Sequence, residues 1–116
     1  MIKLRRLQME DAENMLEWMH DLNVIQWMQI DFANKSFEDC KNFIKTSIKN
    51  EEKNIHRAIV NDDDIYMGTV SLKHITSDEA ELAIVLRSVA MGKGFSGYAM
   101  EEIIKIGFEK RFLKRI

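Results

Sequence analysis

Three glycines fall within six residues in Gly92-Lys93-Gly94-Phe95-Ser96-Gly97, and no other stretch of the chain is so clearly suited to chemistry. Glycine lets a backbone approach an anion closely and turn where other residues are strained. Such a loop can cradle phosphate if a helix starts directly after it. The first turn of a helix leaves its N–H groups without intrahelical acceptors, and the helix dipole puts partial positive charge at the same end. The neighbouring residues supply those elements. Leu82 to Leu86 is an apolar, β-branched run that reads as a buried strand. Arg87 to Met91 is a short connection. Beyond the glycines the apolar period turns helical, with Met100, Ile103, Ile104, Gly107 and Phe108 on one face. Glu81 to Lys110 is therefore strand, glycine loop and helix, a layout that binds phosphate.

Two familiar phosphate motifs fit poorly. A P-loop needs a glycine five residues before a Gly-Lys that is followed by Ser or Thr, whereas Lys93 is followed by Gly94 and position 87 is Arg. Gly92-x-Gly94-x-x-Gly97 matches the dinucleotide fingerprint literally. That fingerprint belongs in the first βαβ unit, with an acidic residue about 20 positions on, and neither condition holds.

The 116 residues carry a net charge of −2 and are 46% hydrophobic, enough for one domain with a core. A pI of 5.9 argues against a general binder of nucleic acid or membrane surfaces. No apolar run approaches the roughly 18 residues of a membrane span. The stretch from Met1 to Arg6 has no long apolar segment behind its basic residues, so no signal peptide is expected. With Cys40 the single cysteine, no intramolecular disulfide is possible, which fits a reducing, cytoplasmic setting. No metal is implied, because the histidines are scattered and Asp62-Asp63-Asp64 reads as a hairpin turn without the ligand spacing of a calcium loop. His56 and His74 read as structural.

In chain order, Ile2 to Leu7 is an expected strand. Glu10 to Met19 is a helix with Ala12, Met15, Leu16 and Met19 on its apolar face. Val24 to Gln29 is a short helical turn. Ser36-Phe37-Glu38-Asp39 is a capping box that opens a helix to about Asn50, with Phe37, Cys40, Phe43, Ile44 and Ile48 as its core stripe. Ile55 to Val60, Ile65 to His74 and Glu81 to Leu86 form a meander. Met67, Val70 and Leu72 are its candidates for burial, and Gly68 marks a bulge or a close approach. A helix from about Ser96 to Lys110 follows, and Lys114 to Ile116 looks like the start of a fifth strand. The order β-α-α-β-β-β-α-(β) is an α+β fold, with a mixed, mainly antiparallel sheet flanked by helices.

This layout resembles the GNAT superfamily of N-acetyltransferases, with the RimJ/RimL-like and spermidine-acetyltransferase-like branches most similar. The resemblance rests on Met91-Gly92-Lys93-Gly94-Phe95-Ser96 between a strand and a helix, where the family shows Gln/Arg-x-x-Gly-x-Gly/Ala. Glu81 and the strand after it stand at the family's spacing. Arg5 to Ala12, and Trp18 to Val24 followed by Trp27-Met28, are similar to that branch's opening. Nearly the whole chain is covered. A complete member continues with a fifth strand, a helix and a final hairpin. The resemblance therefore implies an acetyl-CoA-binding domain over 1–116 that lacks its last strands and helix, and an open edge on the Glu81–Leu86 strand that invites a homodimer or swapped dimer.

The resemblance implies acetyl-CoA as cosubstrate. The backbone of Ile84, Val85 and Leu86 would hold the pantetheine arm, and the amides of Met91, Gly92, Lys93, Gly94, Phe95, Ser96 and Gly97 the pyrophosphate. Acyl transfer to an amine requires removal of a proton from the attacking nitrogen, donors for the developing oxyanion, and a proton for the leaving thiolate. Glu81 is the expected base. Glu79 is a weaker version of the same expectation. Family members often use a tyrosine later in the fold as the acid, and neither Tyr66 nor Tyr98 fits that role. Trp27, Met28, Asp31 and Phe32 would build the acceptor site, with Asp31 attracting a cationic amine. The expected function is N-acetyl transfer from acetyl-CoA to a small-molecule or peptide primary amine by direct attack. The alternative is a non-catalytic acetyl-CoA-binding or interaction module.

Overall fold

The structure is a computed structural model that describes every residue except Gln29 and Asn50. Strands β1 (Lys3–Arg5), β2 (Ile55–Val60), β3 (Tyr66–Lys73) and β4 (Glu81–Leu86) form one sheet in the order β1-β2-β3-β4. Each neighbouring pair is antiparallel. Helices α1 (Ala12–Met19), α2 (Leu22–Ile25) and α3 (Phe37–Ser47) cover one face, and α4 (Phe95–Lys105) covers the other. Among the described residues, no helix is long and apolar enough to cross a membrane. The ends expected at Gln29 and Asn50 lie outside the described residues.

The Ser36 capping box forms as the sequence predicts. The Asp39 amide donates to Ser36 Oγ at 3.2 Å and the Ser36 amide to Asp39 Oδ2 at 2.8 Å. Cys40 and Ile44 of α3 then enter the core. Phe37 and Ile48 do not: both are exposed, because they flank the helix at its two ends and clear the sheet. Lys41 Nζ lies 5.2 Å from the Phe37 ring centroid, which partly covers that ring.

In the β2–β3 pair the register slips. Ile59 faces Gly68 while Val60 faces Tyr66, so Met67 is an extra residue. The slip reverses the alternation: Tyr66 shares a face with Thr69 and Ser71, and Val70 and Leu72 point to the α4 side. Met67, expected to be buried with them, is only half-buried. Gly68 is also a close approach, since a Cβ there would lie 2.3 Å from the Val85 carbonyl oxygen.

Two cores result. Leu7, Met15, Trp18, Cys40, Ile44 and Tyr66 are among those filling the first, under α1 and α3. Ile59, Val70, Leu72, Ala99 and Ile103 lie in the second, under α4. Leu82 to Leu86 of β4 are half-buried rather than fully buried, because β4 is an edge. The expected helix to Lys110 is continuous but changes pitch. Ile106–Lys110 is π-helical, and the Arg111 amide reaches back to the Ile106 carbonyl at 3.2 Å. The wider turn rotates the face, so Gly107 stays buried while Phe108 points to solvent. At the expected fifth strand, Arg115 makes a single parallel bridge to Glu79. The Arg115 carbonyl accepts from the Ala80 amide at 3.1 Å.

Candidate active site

The glycine loop leaves the end of β4 through a 3-10 turn, Ser88–Ala90, and opens α4. Gly92 and Gly94 have φ of +73° and +84°, a region where a side chain is strained. Gly94 is the N-cap of α4. Beyond the neighbouring chain, nothing lies within 4 Å of where a Cβ would sit on Gly92, Gly94 or Gly97, so no other part of the molecule packs against the loop there. The Tyr98 amide makes the first helical bond of α4, to the Gly94 carbonyl at 3.3 Å. The amides of Phe95, Ser96 and Gly97 precede it and have no acceptor within the helix. One side of the β4 backbone pairs with β3, and among the described residues no strand pairs along its other side. A ligand with a phosphate end and a peptide-like arm fits these two features together: amides for the anion, then a strand edge for the arm.

On the face away from α4, a cavity of about 640 Å³ opens against the middle of β4, at Ala83, Ile84 and Val85. Its apolar wall includes Met15, Trp18, Met28, Phe32 and Phe43. The Trp18 and Phe32 rings meet edge to face at 4.9 Å. The floor is the polar side of β2 and β3. His56 Nδ1 and Ser71 Oγ share a 2.6 Å hydrogen bond, and Phe43 lies edge-on to the His56 ring at 4.8 Å. Burial, with the charges of Lys73 and Arg57, pushes the His56 imidazole down to about 4, so it is neutral at pH 7. Behind the wall, Trp18 Nε1 donates to the Tyr66 hydroxyl at 2.9 Å, and that hydroxyl is 2.6 Å from Thr69 Oγ1. Burial pushes the Tyr66 phenol well above its ordinary range, so it stays protonated. Cys40 is fully buried with its thiol 3.5 Å from Met19 Sδ, and burial raises its pKa; it is packing, not a nucleophile.

The glycine loop and the cavity sides are tied together. Arg87 Nε and Nη2 donate to the Glu17 carboxylate at 2.8 and 2.9 Å, and Arg87 Nη1 to the Tyr66 carbonyl at 3.0 Å. Hydrogen bonding to Arg87 lowers the Glu17 pKa. Ser88 Oγ donates to Asp21, which caps α2. These bonds fix the exit of β4 against the α1–α2 corner.

Of the residues singled out in the sequence, Ile84 and Val85 line the cavity and Leu86 follows them on β4. Met91 to Gly94 form the loop, and Phe95 to Gly97 form the first turn of α4. Met28 and Phe32 reach the cavity, whereas Trp27 (88% exposed) and Asp31 do not line it. The Asp31 carboxylate accepts from Asn34 Nδ2 instead. Glu81 shares the face of Ala83 and Val85 but stands outside the cavity, exposed, with its carboxylate 2.8 Å from His74 Nδ1. Glu79 is paired with Arg115. His56, read from the sequence as structural, finds its partner Ser71 15 positions away, and only the β2–β3 register brings the two together.

Comparison with known folds places this geometry. The chain superposes with a TM-score of 0.81 on the spermidine N-acetyltransferase of Vibrio cholerae, determined in complex with CoA and spermine, at 19% identity over 97% of this chain and 66% of that one. A GNAT-family acetyltransferase from Bacillus anthracis gives 0.80, at 19% identity over 97% and 65%. The PaiA N-acetyltransferase of Thermoplasma acidophilum, in complex with coenzyme A, gives 0.70 at 22% identity over 95% and 74%. At such identities the likeness is one of fold, and the chain spans about two thirds of the length of the first two. No curated protein matches the sequence. Residues 2–116 match the acetyltransferase (GNAT) domain, which takes acetyl-CoA as its cosubstrate, and the chain therefore belongs to that family.

Proposed function

We propose that the chain is an acyl-CoA-dependent N-acetyltransferase that passes an acetyl group to a primary amine by direct attack. One observation carries the reading: the free edge of β4 leads into an open loop of positive-φ glycines at the head of α4, while an apolar cavity meets the same strand at Ala83–Val85. In this reading the backbone of Ile84, Val85 and Leu86 holds the pantetheine arm, and the amides of Gly92 to Gly97 hold the pyrophosphate, with Lys93 adding positive charge; the Met91 amide, expected among them, donates instead to the Ser88 carbonyl at 3.2 Å. Acetyl-CoA, when bound, supplies the acetyl group as a thioester.

The chain's own groups do the rest. The cavity walls enclose the acceptor and exclude water around it, with Met28 and Phe32 in the wall and Trp27 and Asp31 on the same connection outside it. Glu81, on the cavity side of β4, takes the proton that the attacking nitrogen loses. Backbone amides of β4 face the oxygen on which negative charge develops; the C–S bond breaks as the C–N bond is established, and the released thiolate takes its proton from solvent. Without acetyl-CoA on it, the free edge of β4 is also where a second copy of the chain would pair, in competition with the pantetheine arm. The exposure of Glu81, outside the cavity, favours a second reading in which the chain binds acetyl-CoA without turnover.

Thiol release with a panel of amines, set beside acetyl-CoA binding, separates the two readings. In a Gly92→Asp, Gly94→Asp double variant, negative charge enters the cradle and both glycines lose their φ freedom. Saturable acetyl-CoA binding should then disappear while the circular dichroism spectrum is retained. Binding that survives in this variant refutes the cofactor site.

A further inference from the structure

We infer that the cavity against β4 is a selective site for an amine with one positive charge and an apolar, ring-sized body, and that it disfavours linear polyamines. This rests on reading that cavity as the acceptor site. Trp18, Phe32, Phe43 and Met28 give the wall aromatic and thioether surface. Such surface rewards an apolar body and gives an ammonium no full counter-charge.

Among the described lining residues, the charged ones are Lys35, Lys73 and Asp39. Two of the three are cationic. Asp39 stands exposed, its Oδ2 accepting from the Ser36 amide at 2.8 Å and the Ser36 hydroxyl at 3.1 Å while capping α3, and one carboxylate does not offset two lysines. Glu81, the cross-strand partner of Lys73, lies outside the cavity and is held by His74. The floor offers neutral groups: Ser71 Oγ, Thr69 Oγ1 and the His56 ring. A single amine can rest its polar head on those groups with its apolar body against the wall. A polyamine must also seat its remaining ammonium groups beside Lys35 and Lys73 with Asp39 as the single carboxylate of the lining, and placing cations next to like charge is unfavourable.

The test compares 2-phenylethylamine with spermidine on the wild-type chain and on Lys73→Glu, a substitution at a half-exposed strand end. Equilibrium binding is read by calorimetry, and turnover by thiol release from acetyl-CoA. Wild type should bind 2-phenylethylamine at least about tenfold more tightly than spermidine, and K73E should narrow that gap by a similar factor. Spermidine binding as tightly as 2-phenylethylamine, or tighter, overturns the inference, as does binding of neither. A gap that K73E leaves unchanged overturns it too. The two readings fail differently. Selective binding without thiol release removes the acetyltransferase reading and keeps this one. Thiol release that prefers spermidine keeps acetyl transfer and removes this one.

Discussion

His56 shows how one residue's environment sets a measurable property. Its ring is half-buried between Phe43 and Ser71, with Lys73 and Arg57 nearby. The fold therefore favours the neutral form. As pH falls through 6.5 the unfolded chain takes up a proton, and the folded chain does so only near 4. The stability from neutral His56 is fully present above 6.5 and is lost as pH drops through that window. Because the ring is partly exposed, the effect is expected to be about 1 kcal/mol after solvent screening. Urea unfolding of wild type and His56→Gln across that window checks this. The variant should lose less stability toward acid, and a parallel pair of curves contradicts the assignment. Glu81 illustrates the limit of reading a residue alone. Its place at the head of a strand was visible in the sequence, but its partner His74 and its exposure follow from the β3–β4 turn.

At the level of elements, the Arg87 latch joins the end of β4 to the α1–α2 corner across 70 positions of sequence. Its geometry is bidentate and its third donor satisfies a backbone carbonyl, so it should count for more than an ordinary surface pair. Arg87→Ala is expected to lower stability by about 1–2 kcal/mol. A double-mutant cycle with Glu17→Gln should return a coupling of at least ~0.5 kcal/mol. Acetyl-CoA affinity should fall in Arg87→Ala as well, since the latch holds the turn that enters the glycine loop. Unchanged stability and affinity would show that the latch is decorative. The capping box, the β2 and β4 boundaries and the glycine loop were legible because each depends on neighbours within a few residues. The π-turn at Ile106–Lys110 was not, because it changes which residues face the sheet without changing the apolar spacing in the sequence.

For the whole molecule, the sheet separates two cores, one under α1 and α3 and the other under α4. Ile44→Ala and Ile103→Ala remove fully buried side chains from opposite faces. Each should cost about 2–5 kcal/mol. Because the two sites share no core cluster, the double variant should be additive within ~0.5 kcal/mol, measured by denaturant unfolding. A larger coupling would mean that the sheet transmits strain between its faces. The same separation explains what could be read at each stage. Local patterns were enough for the α+β class and the strand–loop–helix, because periodicity, caps and glycine spacing act over a few residues. The cavity needed the assembled sheet. A one-residue bulge at Met67 puts Tyr66, Thr69 and Ser71 on one face, the β2–β3 register sets His56 beside Ser71, and packing of α1 and α3 closes a wall over them. Side-chain alternation has a period of two, so a single inserted residue reverses every assignment beyond it. That reversal is set by hydrogen bonding between strands, and chain order alone does not reveal it.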